Sequence, residues 1–370
     1  MDRQRQSLQT VRRSKRSIRY AMETFWYSAV TFMLAVYVVL DGYDFGVGMV
    51  YSFVARTEEE RRTIMAAIGP VWSGNEVWLI ASGAALFLAF PRAYAAGFSG
   101  FYLALIIVLW LFMGRGLAIE LRAHVDHPLW RQFWDVIFAA SSALLAVVFG
   151  IALGNLIRGV PLNADGYFFV ALWTDFVPGP DPGIIDWFTL LLALTSAVLL
   201  TGHGANYLAM KTTGDLQARA RRVARLSAYG TVLLVALVLP ALSGVQPSFR
   251  LNYDAHPIGY GWPLMGLAAL LALLVFRARE RDVAAFAASS VLLLGLLAGT
   301  AWGSYPNILI ATADPSLSLT ITNASAGTYG LQAAVWWFTI GLAIVITYQL
   351  CIHRLFWGPV KTEPRDLSAH

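Results

Sequence analysis

The chain has 370 residues, of which 58% are hydrophobic and 13% charged, with a mean hydropathy of +0.60. Soluble domains carry about 25% charged residues, so water cannot face most of this surface. The formal charge of +5 does not indicate a nucleic-acid binder, because the basic residues gather at the ends of apolar runs, where lipid headgroups account for them. A single cysteine, Cys351, excludes a disulfide framework and a cysteine-based metal cluster.

Apolar runs near the length needed to cross about 30 Å of hydrocarbon recur along the chain. Alternating dyads of a membrane barrel are absent. The expectation is an all-α polytopic membrane protein with about nine spans. Residues 1–21 are polar and basic, with Arg3, Arg5, Arg12, Arg13, Lys15, Arg16 and Arg19. The first span runs from Thr24 to Asp44. An amphipathic stretch, Thr57 to Ile68, leads to a second span, Val77 to Phe90, extended by Tyr94 to Ala96. The third covers Phe98 to Met113 and the fourth Val136 to Ile157. A loop rich in Pro, Gly and Asp, Arg158 to Asp186, precedes the fifth span (Trp187–Met210) and the sixth (Leu226–Val245). After a loop holding Pro247, Arg250 and His256 come the seventh (Tyr260–Phe276) and eighth (Val283–Tyr305). A polar loop with Asp314, Thr320, Asn323 and Ser325 precedes the ninth, Ala333–Ile352. The expected division is an extension (1–21), a membrane domain (22–357) and a polar tail (358–370).

Lys and Arg counts orient the spans. Connections on the side of the first loop carry three, three, five, three and three; the opposite ones carry one, one, one and none. The first loop and the C-terminus are therefore expected in the cytoplasm, and Arg158–Asp186 outside. The basic residues of 1–21 conflict with that assignment. The conflict, and the absence of a cleavable signal pattern, lead us to expect a native start at Met22.

Four stretches could carry chemistry. Asp41 and Asp44 close the first span three residues apart, on one helical face. Gly42 and Gly46 beside them form a small-xxx-small pair that admits a neighbouring helix. Intramembrane carboxylates usually face a protein interior or a water path; capping at the interface is the plainer alternative. Gly69–Ile80 opens the second span with Trp72, Ser73, Asn75, Glu76 and Trp78. The helix dipole alone would stabilise Glu76 there, and the functional reading is a proton-uptake group. Arg115 and Glu120 close the third span, where they either meet Asp41 or Asp44 or snorkel to the interface. His203, flanked by glycines, is the only histidine clearly inside a span. It is a conceivable haem ligand, yet a lone polar residue there more often bonds a neighbouring helix. No P-loop, Rossmann glycine pattern or nucleophile elbow is present.

Together, DGYDFGVG (41–48), GPVWSGNEVWLI (69–80), FPRAYAAGFSGFYL (90–103), RGLAIELR (115–122), HGANYLAMKTTGDLQARAR (203–221) and YPNIL (305–309) resemble subunit II of cytochrome bd-type ubiquinol oxidases. The motifs fall in the family's order. The resemblance implies two four-helix bundles plus a peripheral helix, in a bacterial cytoplasmic membrane. It implies pairing with a similar-fold subunit I that holds two b-type haems and one d-type haem. Subunit I also carries the quinol-oxidising loop between its sixth and seventh spans; the corresponding loop here, Gln246–Pro257, is far too short for that task. This chain would bind no haem directly. It would act as scaffold, line a cytoplasmic proton path, and hold a quinone or lipid in a structural site, with small single-helix accessory subunits as further partners. Asp41, Asp44, Glu76, Ser73 and Glu120 are the proton-path candidates. Gly42, Gly46, Trp72, Asn75, Trp78, Arg115 and His203 are the packing or interface candidates. Many relatives carry an aspartate where Ser73 stands. Ser73 cannot ionise, so Glu76, one turn later, would have to substitute. A secondary transporter is the alternative of another class, but it would want broken helices and a midplane site, whereas these polar residues cluster at span ends. An assembly factor without turnover is a third reading.

Overall fold

The structure, a computed structural model, describes residues 2–360, with only the backbone for residues 2–12, 14 and 15. Met1, the side chains of Arg3, Arg5, Arg12 and Lys15, and residues 361–370 of the expected tail lie outside the described residues.

Twelve α-helices follow one another among the described residues: α1 (Asp2–Val54), α2 (Glu58–Ile68), α3 (Trp72–Ala89), α4 (Pro91–Gly100), α5 (Tyr102–Leu121), α6 (Pro128–Arg158), α7 (Trp187–Lys211), α8 (Gly214–Val245), α9 (Ser248–Ala255), α10 (Gly261–Ala278), α11 (Asp282–Ser304) and α12 (Thr328–Leu355). Eight of them are long and apolar enough to cross a membrane. The ninth expected span, the second in order, is divided. Pro91 has no N–H to donate and pushes the residue before it out of the helical region. Phe90 accordingly takes φ −134°, ψ 60°, ending α3, and Pro91 opens α4.

α1, α3, α5 and α6 pack as one bundle and α7, α8, α10 and α11 as a second, joined through α6 and α1 against α7 and through α1 against α11. α1 and α7 are the most enclosed, with 61% of their apolar windows buried, against 6% for α12, which lies at the edge on α1 and α3. The short connection between α10 and α11 turns at Glu280, with φ 53°. The expected amphipathic stretch is α2, capped reciprocally by Thr57 and Glu60 and carrying three glutamates in its first turn. α1 continues without a break through the basic extension. Arg19 pairs with Glu23 at 2.8 Å and reaches the Thr322 carbonyl and Ser325 Oγ, fastening this part of α1 to the loop before α12.

At the opposite end from Glu76, Arg158 is buried where α6 ends. It pairs with Asp186, the N-cap of α7, and donates to Asn155 Oδ1 (2.6 Å) and the Gly183 carbonyl (3.0 Å). The long loop is thus stapled at both ends by one guanidinium. Removing one partner of a buried pair leaves an uncompensated charge and costs about 3–5 kcal/mol. Asp186→Ala is therefore expected to lower the thermal midpoint of the purified protein and expose the 159–185 loop to protease. An unchanged midpoint and digestion pattern would remove the staple.

Candidate functional site

The site forms where α1, α3 and α5 meet. Asp41 and Asp44 sit one turn apart on the enclosed face of α1, and both are wholly buried. α5 supplies Arg115, also wholly buried. Its Nη2 donates to Asp41 Oδ1 at 2.7 Å and lies 3.7 Å from Asp44 Oδ2. Its Nη1 donates to Glu76 Oε1 of α3 at 3.0 Å. The guanidinium also lies 4.8 Å from the centroid of the Phe45 ring, a cation–π contact. Arg115 therefore does not snorkel; its stem and head are both enclosed, and three carboxyl groups surround a single fixed positive charge. Glu76 is the one member that reaches the surface, with 24% of its side chain exposed.

Asn75, next to Glu76, ties the cluster together. Its Nδ2 donates to Asp44 Oδ2 (2.8 Å) and Tyr43 Oη (2.7 Å), and its Oδ1 accepts from Gln349 Nε2 of α12 (2.7 Å). The Leu40 backbone carbonyl, 3.3 Å from Asn75 Nδ2, can only accept, so it fixes the orientation of the Asn75 amide, and Gln349 must then donate to Oδ1. Asp41 Oδ2, Asp44 Oδ1, Arg115 Nε and Tyr37 Oη are buried; Tyr37 faces Asp41 one turn along α1, while Asp44 Oδ1 and Arg115 Nε have no hydrogen-bond partner among the described residues. Buried polar groups are rarely left unpaired, and ordered water commonly fills that role.

Ser73 and Glu120 stand apart from the cluster. Both are exposed. Glu120 follows Arg115 by five residues, which at 3.6 per turn carries it well round the helix. Trp72 fills the space left by Gly116 of α5, whose missing Cβ would lie 3.3 Å from the indole. Trp78 is buried on α3 within the core around Trp26 and Phe90. The glycine pair also finds its partner. A Cβ on Gly46 would lie 2.0 Å from the Leu200 carbonyl oxygen, and one on Gly204 would lie 2.2 Å from the Gly46 carbonyl carbon. Gly42 faces Leu200 Cδ2 at 2.9 Å by the same measure. Two separately read motifs, DGYDFG and HGAN, are thus the two sides of one helix crossing.

His203, on the same stretch of α7, has both ring nitrogens engaged. Nε2 bonds the Val39 carbonyl at 2.9 Å and must donate. Nδ1 lies 2.7 Å from Ser289 Oγ, whose single hydrogen is shared between this nitrogen and the Phe286 carbonyl at 2.8 Å. The ring stacks on Phe286 with centroids 5.0 Å apart. The ring is wholly buried with both nitrogens against protein partners and Phe286 on its face, which leaves no room for a haem, so His203 does not fit the role of a haem ligand and bonds neighbouring helices instead.

A second network flanks α2. Arg122 donates to both oxygens of Glu58 (3.0 and 2.9 Å) and to Asp135 Oδ1 (2.5 Å), while Arg61 also pairs with Asp135 and Tyr51 Oη donates to it at 2.6 Å. Burial pushes the Glu58 carboxyl up, but Arg122, with Arg131 and Arg62, outweighs it and holds Glu58 below the usual range. This network anchors α2 to α5 and α6.

Tyr43, Gln349, Tyr37 and Phe45 were not anticipated as site residues. A glutamine inside an otherwise apolar last span was the available signal for Gln349; tyrosines near span ends read as ordinary interface residues.

The helices and the cluster define a multi-pass, all-α membrane subunit with a buried acid site opening at one end. Residues 22–356 match the family model of cytochrome bd terminal oxidase subunit II. The chain is 30% identical over 376 residues to cytochrome bd-I ubiquinol oxidase subunit 2 of Escherichia coli K12, covering 93% of this chain and 97% of that protein. It is 33% identical over 339 residues to cytochrome bd ubiquinol oxidase subunit 2 of Bacillus subtilis, covering 91% and 96%. Its fold superposes on a chain in the structure of bd oxidase from Geobacillus thermodenitrificans with a TM-score of 0.71 at 20% identity, covering 91% and 98%. The chain belongs to the cytochrome bd terminal oxidase subunit II family and is part of an oxidoreductase complex.

Proposed function

We propose that this chain is the haem-free half of a quinol oxidase, paired with a haem-bearing subunit I that oxidises quinol and reduces oxygen to water. The haems, bound in the partner, supply the electron transfer and oxygen chemistry. This chain scaffolds the partner and lines a proton path from the cytoplasm, contributing to proton-motive force. The basic bias of the loops supports a cytoplasmic first loop and C-terminus. Lipid, a structurally bound quinone and single-helix accessory subunits would occupy its outward faces. A secondary transporter is not favoured, because the family match spans residues 22–356.

The observation that carries the proton role is the three-to-one ratio of carboxyls to guanidinium around Arg115. One guanidinium compensates one carboxylate; uncompensated buried charge is prohibitive, so the surplus carboxyls are where exchangeable protons reside. Glu76, partly exposed, trades protons with water. Arg115 holds Glu76 and Asp41 on its two terminal nitrogens, and Asp44, one turn nearer the cytoplasmic end of α1, lies 3.7 Å from the same guanidinium. Ser73, outside the cluster and unable to ionise, takes no part.

In the assembled oxidase, Glu76→Gln keeps the hydrogen bond from Arg115 and removes the exchangeable proton. Oxygen consumption with excess quinol is expected to slow by about tenfold, less than the roughly hundredfold or more of a positioned acid–base group, because proton uptake is one step of turnover among several. Turnover equal to wild type would take Glu76 out of the path.

A further inference from the structure

α12 is the least enclosed span, yet it places two polar residues, Gln349 and His353, one turn apart on the face that meets α1 and α3. Gln349 donates to the Asn75 amide, as above. His353 approaches the cluster from the C-terminal end of α12, where its Nε2 lies 3.4 Å from Tyr43 Oη.

The proton positions along this line are determined by the partners. The Gln349 carbonyl can only accept, so His353 Nδ1, 3.0 Å away, carries a hydrogen. In the neutral ring Nε2 is then the acceptor. Tyr43 Oη already accepts from Asn75 Nδ2, so its own hydrogen is free to point at His353 Nε2. On the far side, Asn75 Nδ2 also bonds Asp44 Oδ2. Tyr43 Oη and the Asp44 carboxyl are therefore two hydrogen bonds of a single nitrogen apart, a gap that one bridging water spans. Asp44 Oδ1 is buried without a protein partner. An imidazole near the surface, a phenol and a buried carboxyl thus lie in sequence, and the Arg115–Glu76 line does not use the first two.

We propose that His353 and Tyr43 form a second proton-exchange port into the cluster, separate from Glu76 and delivering to Asp44. It rests on the reading of the cluster as a proton path of the oxidase. With its ring swung off Tyr43 toward the cytoplasmic end of α12, His353 takes a proton on Nε2 from water; swung back, the imidazolium donates from Nδ1 to the Gln349 backbone carbonyl and from Nε2 to Tyr43 Oη. The Nε2 proton passes to Tyr43 Oη as the phenol's own proton leaves toward the Asp44 carboxylate. Imidazole and phenol are regenerated neutral, and one proton has moved. Tyr43 is neither a stored acid nor a redox group here; it relays. Around His353, Tyr43 of α1 faces the ring, Lys211 of α7 is the charged group within electrostatic reach, and Arg354 follows on its own helix. Lys211 is itself held by the Phe356 carbonyl and, at 3.1 Å, by the Gly358 carbonyl, so its position is fixed by the segment that ends α12.

The test uses the whole oxidase, with each preparation normalised to assembled complex by its optical haem absorbance. His353→Gln retains an acceptor for Tyr43 and cannot take up a proton; Tyr43→Phe removes the relay. In the parent, each alone is expected to slow turnover by only about a tenth, the share that the roughly tenfold loss in Glu76→Gln leaves to a second route; in the Glu76→Gln background each should lower the remaining rate about threefold to tenfold. The wild-type rate should carry a component that declines as pH rises and His353 loses its proton, and His353→Gln should lack it. Combined with Glu76→Gln, either variant should lower the rate by more than the product of the single effects, because each port compensates for the other. Equal slowing at every pH would assign His353 a packing role and overturn the port, as would parental rates for both variants with and without Glu76→Gln. If Glu76→Gln is silent while His353→Gln and Tyr43→Phe slow turnover, the port stands and Glu76 fails; the reverse pattern retains Glu76 and removes the port.

Discussion

Arg115→Met is expected to abolish recovery of the assembled oxidase. Arg115 is wholly buried and touches Asp41, Asp44 and Glu76. Methionine matches the stem, but it strands three carboxyls around an apolar tip. Breaking a buried pair from one side costs about 3–5 kcal/mol, a large part of a domain's total stability of about 5–15 kcal/mol. Arg115→Lys keeps the charge but cannot hold Asp41 and Glu76 on two nitrogens of one plane, so it should assemble in reduced amount. The informative variant is Arg115→Met combined with Asp41→Asn. Deleting a carboxylate along with the guanidinium lowers the stranded charge, so this pair should recover more complex than Arg115→Met alone, a coupling of the kind expected between contacting residues. Yield after affinity purification and the thermal midpoint of the recovered protein read the effect. Equal yields for the single and double variants would show that charge balance does not hold these three helices together.

The second large effect is steric. At the crossing of α1 and α7, Gly46 and Gly204 bring backbone against backbone, and a Cβ at Gly46 has only 2.0 Å to the Leu200 carbonyl. Even Gly46→Ala must force the helices apart, and Gly46→Leu more so. Overpacking costs about 1–3 kcal/mol in cores that can adjust, and here the obstacle is backbone, which yields least. The displacement would also pull His203 from the Val39 carbonyl and Tyr43 from its 4.1 Å stack on Tyr207. Gly46→Leu is expected to prevent assembly and Gly46→Ala to lower the thermal midpoint by several degrees. Gly83→Ala, where a Cβ meets nothing within 4 Å, is the matched control and should leave the midpoint in place. A normal midpoint for Gly46→Ala would mean that the two bundles are not locked at this point.

Much of this was legible from residue order. Carboxylates at 41, 44 and 76 stand at the ends of apolar runs, where a polar group needs a reason to be, and Arg115 was recognisable as a partner for them. What residue order could not supply was their depth. Whether Arg115 snorkels or turns inward depends on which helix stands beside α5, and that is a tertiary fact. The same holds for Ser73 and Glu120, which share their motifs with Asn75, Glu76 and Arg115 but face outward because helical rotation separates near neighbours. The break at Phe90–Pro91 was available in principle: proline at that point forbids a continuous helix, yet the apolar content on either side reads as one span. Tyr43, Gln349 and His353 were hidden for a different reason. Tyr43 reads as an ordinary interface tyrosine, the glutamine at 349 does not say what it meets, and only the docking of α12 on α1 and α3 brings Gln349 and His353 to Asn75 and Tyr43.

We propose that this chain moves protons and its partner moves electrons. The most direct measurement is a single-turnover experiment on the Glu76→Gln oxidase in vesicles, following haem reduction by quinol optically and proton uptake with a pH dye on the cytoplasmic side. Haem reduction should keep the wild-type rate while proton uptake slows by about tenfold. Haem reduction slowed in step with proton uptake, or both rates unchanged, would contradict it.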